Sequence, residues 1–238
     1  MMATQNLQIF CDFDGTITVG DTVDYLLETL ASKEWKDIED QWERGEIGSR
    51  ECMSRQIPLI QGGWAAIEHA LASVRVDKSF ATFVAWCRQR KIPLTIVSDG
   101  LDKVIKHILK REGIKVDNIV SNHLVAWDGT LALEFPVRSH RFVCASGHCK
   151  CQILDQAPHG TKIVIGDGRS DFCWSHNADM LFAKDKLLKY SNEKNLDALS
   201  YESFLDVRLQ LEDMMEATLP AAKEPRTLIP AWTTSVAI

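Results

Sequence analysis

The sequence predicts an α/β fold, a parallel sheet flanked by helices, with a helical domain inserted after the first strand. Three observations carry this expectation. Short apolar runs of strand character, Leu7–Cys11, Pro93–Val97 and Lys162–Ile165, are separated by stretches with helical spacing, and alternation of that kind is the pattern of a parallel sheet. Each run stops on small polar or acidic residues: Asp12-Phe13-Asp14-Gly15-Thr16, Ser98-Asp99-Gly100 and Gly166-Asp167-Gly168-Arg169-Ser170-Asp171. Between the first two runs the strand pattern disappears and helical patches follow one another.

Taken in order, Leu7–Cys11 reads as a buried strand. Asp21 can cap a helix that carries Val23, Leu26, Leu27 and Leu30. Trp35, Ile38 and Trp42 repeat at helical spacing, and further patches surround Met53–Ile60 and Trp64–Val74, with breaks near Gly45–Gly48 and Gly62-Gly63. A helix over Phe80–Arg90 leads to the second strand, Pro93–Val97, and Leu101–Arg111 is helical. Ile119-Val120, Leu124–Trp127 and Leu131–Phe135 are apolar, and Asp128-Gly129 between the last two is a hairpin signal. Lys162–Ile165 and Asp179–Ala183 read as further strands, and Tyr201–Leu219 as a closing amphipathic helix. The expected division is therefore a core of 1–18 and 91–219, a helical cap of 19–90, and a tail of 220–238 that is extended or poorly ordered.

The totals narrow the function. The chain has 238 residues, 45% hydrophobic and 25% charged, with 27 Lys plus Arg against 33 Asp plus Glu and a formal net charge of -6. An acidic balance without a basic block argues against a general nucleic-acid partner. No apolar run approaches the roughly 20 residues that span a bilayer, and Met1 to Asn6 lacks the features of a secretory signal. The expected location is the cytoplasm, with no membrane partner. Seven cysteines, an odd number in a chain with room for a proper core, suit free thiols in a reducing compartment.

Two carboxylates at the end of a buried strand are costly unless a cation receives them. A divalent metal is one receiver, since hard oxygen ligands suit magnesium, and an aspartate so placed can act as a nucleophile. Taken alone, Asp and Gly also open caps and turns. In a parallel sheet, however, the carboxyl ends of the strands lie together, so one sheet could gather Asp12, Ser98 and Asp167.

The ordered set Asp12-Phe13-Asp14-Gly15-Thr16, Ser98-Asp99-Gly100, Lys150 and Gly166 to Asp171, with a helical block after its first member, resembles the haloacid dehalogenase (HAD) superfamily of phosphotransferases. The resemblance spans most of the chain and implies a Rossmann-like core under a cap of the phosphoserine-phosphatase-like branch. It implies that Asp12 is the nucleophile and Asp14 the proton carrier. Mg2+ would be held by the Asp12 carboxylate, the Asp14 backbone carbonyl and Asp167, with Asp171 in support. Ser98 and Lys150 would bind phosphate, while Asp21 and Arg55 occupy positions where the cap meets the substrate. Glutamate is usual at the first of these in phosphoserine phosphatases, so Asp21 departs from that pattern. A closer similarity, to methionine-salvage enol-phosphate phosphatases, shows in Cys11 to Thr18 followed by Asp21, in the cysteine-containing approach to Lys150, and in Asp179 to Asp185.

The resemblance thus implies a phosphoric monoester hydrolase acting on a small phosphorylated metabolite, with the methionine-salvage enol phosphate first. Phosphoserine and phosphocholine or phosphoethanolamine are the alternative substrates. A catalytically retired binding protein on the same scaffold is the alternative outside enzymes. One cluster stands apart. Cys144, His148, Cys149 and Cys151, with His140 nearby, are residue types of a zinc site. Their C-x4-C-x-C spacing lacks paired C-x2-C, and free cysteines packed beside the site are the expectation.

Overall fold

The computed structural model describes residues 6–136 and 149–217. A seven-stranded sheet runs in the order β4-β3-β2-β1-β5-β6-β7. Its strands are β1 (Leu7–Cys11), β2 (Leu94–Leu101), β3 (Asn118–Trp127), β4 (Thr130–Glu134), β5 (Thr161–Gly166), β6 (Met180–Ala183) and β7 (Ala198–Ser200). Every neighbouring pair is parallel except β3 with β4, which forms the hairpin expected at Asp128-Gly129. Parallel strands buried on both faces need near-continuous apolar sequence, and all five residues of β1 are buried. β1 pairs with β2 on one side and β5 on the other, so the chain reverses its winding there. At such a switch point the carboxyl ends of the strands border a crevice.

Four helices, α1 (Thr22–Leu30), α2 (Trp35–Glu43), α3 (Ser49–Gln56) and α4 (Gly63–Leu71), follow β1, with a 3-10 turn at Ile57–Leu59. They rise from the core on a narrow neck: Thr18 bridges Val76 antiparallel, Val19 N–H donates to the Arg75 carbonyl, and Asp77 N–H to that of Ile17. We therefore end the cap at this neck, short of the expected residue 90. The helix expected at its end, α5 (Phe80–Gln89), packs on the core's last helix, α10 (Phe204–Ala217). Phe80 and Phe83 both meet Phe204, and Trp86 Nε1 donates to Glu212 at 2.6 Å. Large aromatics draw this helix onto α10 because burying them contributes most to a core.

The remaining core helices are α6 (Asp102–Arg111), α7 (Lys150–Gln156), the short α8 (Phe172–Ser175) and α9 (Asp185–Lys194). On α6 the residues Val104, Ile105, Ile108 and Leu109 are all buried, a stripe at the i, i+1, i+4, i+5 positions that faces the sheet. β7 and α9 lie in a stretch where no element was expected, since Leu187 and Leu188 give too short an apolar stripe to announce a helix. α10 starts at Phe204 rather than Tyr201, because the Asp206 carboxylate captures the N–H groups of Glu202 and Ser203 and holds a turn there. Among the described residues no helix is long and apolar enough to cross a membrane. His140, Cys144 and His148 of the candidate zinc cluster, and the 220–238 tail, lie outside the described residues; Cys149 and Cys151 are buried.

Candidate active site

The carboxyl ends of β1, β2 and β5 bring three of the sequence motifs to one place, and α7 adds Lys150. Asp12 follows β1 directly and is 4% exposed. Its Oδ1 accepts from Phe13 N–H at 2.8 Å and from the Lys150 ammonium at 2.8 Å. Lys150 is 1% exposed and also lies 2.7 Å from Asp171 Oδ1 and 3.0 Å from Ser170 Oγ. Burial alone would strip the lysine of its proton, but the Asp12 and Asp171 carboxylates outweigh it and hold the ammonium charged. Asp12 itself is pushed up by burial and by the Asp171 charge, with Lys150 opposing.

Asp171 is fully buried and satisfied by protein donors. Its Oδ1 takes Lys150 and Trp174 Nε1 (3.0 Å), and its Oδ2 takes the N–H groups of Asp167 and Gly168, each at 3.1 Å. It therefore clamps the 166–171 loop onto Lys150. Oxygens of Asp12, Asp167 and Asp171 lie within 4.8 Å of one another, a group able to hold a metal ion. The donors are all hard carboxylate oxygens, the type that suits magnesium, and their crowding is a charge excess a dication would relieve. Burial raises the Asp167 carboxyl to about 6 although Thr16 Oγ1 donates to it at 2.6 Å.

Asp14 turns away from that group. Its Oδ1 accepts from the backbone and hydroxyl of Thr22, at the start of α1, and Ser98 Oγ lies 3.4 Å from its Oδ2. Burial, then the nearby Asp21 charge, push its carboxyl up to about 7 against the Thr22 bonds. Ser98 is buried within β2, at the irregularity between Val97 and Leu101, where its Oγ accepts from Gly100 N–H at 2.8 Å. Two glycines allow the close approach. Gly15, at φ +72°, has Asp167 where a Cβ would stand, and Gly100 has Asp14 there.

A cavity of about 280 Å3 opens above these residues. Asp12, Asp14, Ser98 and the 168–170 loop form its floor, and α1, α2 and α3 its roof. Asp21 lines it and serves as the N-cap of α1, its Oδ1 accepting from Val23 and Asp24 N–H. Arg55, expected at the substrate, is not among the lining residues. Its guanidinium instead reaches Gln41 Oε1 at 3.0 Å and Glu51 Oε1 at 3.5 Å, and its side chain is 40% exposed. The reason is helical phase: Cys52, Met53 and Gln56 take the inward face of α3 and leave position 55 outward.

Several site residues had no assigned role in the sequence. Thr16 was visible beside the acids, but its bond to Asp167 depends on bringing β1 and β5 together. Thr22 and Trp174 carried no signal beyond ordinary helix positions. Arg169, from the 166–171 loop, stacks 4.9 Å from the Trp42 ring of α2, an interaction between core and cap that no local pattern announces.

A parallel α/β core that presents an aspartate pair and a buried lysine beneath a helical roof defines a capped hydrolase. The chain belongs to the haloacid dehalogenase-like hydrolases, whose family profile matches residues 9–176. It is 31% identical over 218 residues to the 2-hydroxy-3-keto-5-methylthiopentenyl-1-phosphate phosphatase of Geobacillus kaustophilus (strain HTA426), covering 89% of this chain and 98% of that one. The enzyme of the same name from Bacillus pumilus (strain SAFR-032) is 29% identical, over 87% and 92%. Among solved structures, a phospho-aspartyl intermediate analogue of phosphoserine phosphatase superposes with a TM-score of 0.65 at 18% identity, over 87% of this chain and 99% of that one. That likeness concerns the fold.

Proposed function

We propose that the protein hydrolyses a small phosphate monoester with Mg2+ and an aspartyl-phosphate intermediate, and that the methionine-salvage enol phosphate is its substrate. By family and kinship it is a phosphoric monoester hydrolase. The observation that carries the mechanism is Asp12 on the cavity floor with Oδ1 fixed by Phe13 N–H and Lys150. With that oxygen held, Oδ2 is the one we assign to attack. Its bond to phosphorus forms as the ester P–O bond breaks, and Asp14 gives its proton to the departing oxygen. Asp14 then takes a proton from the water that attacks phosphorus, the P–O bond to Asp12 Oδ2 breaks, and phosphate leaves with the Asp12 carboxylate restored, one group serving both half-reactions. Lys150 and Ser98 hold the phosphoryl oxygens against the carboxylate's charge. A bound Mg2+ on Asp12 and Asp167, with the Asp14 carbonyl, would neutralise charge on the transferring group. Relatives named for the enol phosphate, and apolar Val23, Trp42 and Met53 in the roof, support that substrate.

Hydrolysis of the enol phosphate, with and without magnesium, is the direct test. A kcat/KM no greater than that for p-nitrophenyl phosphate would remove the substrate assignment. Asp14→Asn separates the acid role. Nitrophenolate leaves without a proton and an alkoxide does not, so the variant should lose on the order of 10²-fold or more on an alkyl phosphate and much less on p-nitrophenyl phosphate. A carboxyl raised to about 7 stays protonated below that pH. For the wild type, kcat/KM on an alkyl phosphate should therefore fall as pH rises through about 7, and Asp14→Asn should lack that limb.

Metal binding has its own signature. With the Asp167 carboxyl raised to about 6 and Asp12 also raised, the folded protein holds protons that the unfolded chain has released. Without metal, this contribution favours the folded state at low pH and is lost as pH rises towards 6 and above. The metal needs the deprotonated carboxylates, so the rise in Tm on adding Mg2+ should grow between pH 5 and pH 8. A shift independent of pH would argue that the ion binds elsewhere.

A further inference from the structure

The roof of the cavity presents acids where a substrate's far end would lie. Asp24 on α1 and Glu39 and Glu43 on α2 line it, and no lysine or arginine of α1, α2 or α3 does. Glu39 is fixed: Gln56, 2% exposed, donates to its Oε2 at 2.8 Å, and Cys52 Sγ lies 3.7 Å away. Burial and the charges of Asp21 and Glu39 push the Asp24 carboxyl up to about 7, the response of an acid already crowded by its own kind. Two cations line the cavity from the core side. Arg169 is stacked on Trp42, and Lys186 lies in the field of both Asp21 and Asp24, where it favours their ionised forms. Arg55, the cap cation expected at the substrate, is turned towards Gln41 and Glu51.

Resting on the phosphatase reading above, we infer that Asp24 and Glu39 are specificity-determining residues that admit phosphate monoesters whose alcohol half carries hydrogen-bond donors and no second anion. Carboxylates accept hydrogen bonds from hydroxyl or ammonium groups. A distal carboxylate would be placed beside Glu39 and Glu43, and beside an ionised Asp24 above about pH 7, which costs enough to reject a ligand. A polyol or an amino alcohol meets the requirement; a phosphorylated hydroxy acid or amino acid does not.

Matched pairs that differ by one carboxylate test this. Phosphoethanolamine is phosphoserine without its carboxylate, and glycerol 3-phosphate replaces the carboxylate of 3-phosphoglycerate with a hydroxymethyl group. The wild-type enzyme with Mg2+ should show kcat/KM at least about tenfold higher for the non-acid member of each pair, the scale at which a like-charge contact discriminates. A gap in the first pair alone points to ammonium as the favoured donor, and a gap in the second alone to hydroxyl; either supports the inference. In Asp24→Asn/Glu39→Gln the ratio within a pair should fall at least about fivefold, and in Arg55→Ala it should stay as in the wild type. Parity, or preference for the acid, in both wild-type pairs would overturn the inference, and that measurement holds even if the double variant fails to fold. An Arg55→Ala ratio that rises would also overturn it, by placing a cap cation on the substrate carboxylate. Absence of any hydrolysis, of the enol phosphate and both pairs as well as of p-nitrophenyl phosphate, would overturn the phosphatase reading and this inference together. Turnover of that ester with both pairs at parity would overturn this inference alone.

Discussion

Asp12→Asn is expected to lower kcat on p-nitrophenyl phosphate by on the order of 10⁴-fold, the scale of removing a nucleophile whose neighbours are intact. The variant should keep its fold. Asparagine has nearly the same shape, and its side-chain carbonyl can still accept from Phe13 N–H and Lys150, which contact Asp12 Oδ1 at 2.8 Å each. Lys150 also retains its 2.7 Å partner Asp171. The substitution removes a carboxyl that burial and the Asp171 charge already push up, so Tm without metal should hold or rise. Activity and stability then move in different directions, which a merely structural Asp12 would not produce. Full activity in the variant would end the nucleophile assignment, and loss of activity with collapse of the fold would end the claim that Asp12 acts chemically rather than structurally.

What could be read from the sequence divides by range. β1, β2 and β5 announced themselves as short apolar runs, and their terminal motifs placed Asp12, Ser98 and Asp167 together, because parallel strands share one end. The hairpin at Asp128-Gly129 was equally local. Residues whose effect depends on tertiary phase could not be read the same way. Arg55 lies at the end of a helical patch whose inward face could not be chosen until α2 and α3 met, and the face chosen was that of Cys52, Met53 and Gln56. The helix over Phe80–Gln89 looked continuous with the cap, since its aromatic contacts with Phe204 join residues far apart in the chain. Asp171 was expected to support the metal. Its four protein donors, which tie Lys150, Trp174 and the 166–171 loop together, follow from a turn that closes on itself in space.

Lys150→Met should cost more in stability than any other single change at the site. Removing one partner of a buried ion pair strands the charge left behind, a loss of about 3–5 kcal/mol, and here two carboxylates are stranded, Asp12 and Asp171. For a chain of this size such a loss lowers Tm by roughly 10 °C or more. Asp12, which burial already pushes up, would take up protons more readily, so its folded-state carboxyl would rise further above the unfolded value. Stability that depends on those protons is present at low pH and lost as pH rises; the deficit relative to wild type should therefore be smaller at pH 5 than at pH 8. Denaturant melts at the two pH values measure this directly. A second change, Asp171→Asn, removes one of the stranded charges and should restore part of the lost stability without restoring activity. Equal deficits at both pH values, or no rescue by Asp171→Asn, would mean that Lys150 supports the fold through its packing on Trp174, 5.1 Å from the ring centre, and not through its charge.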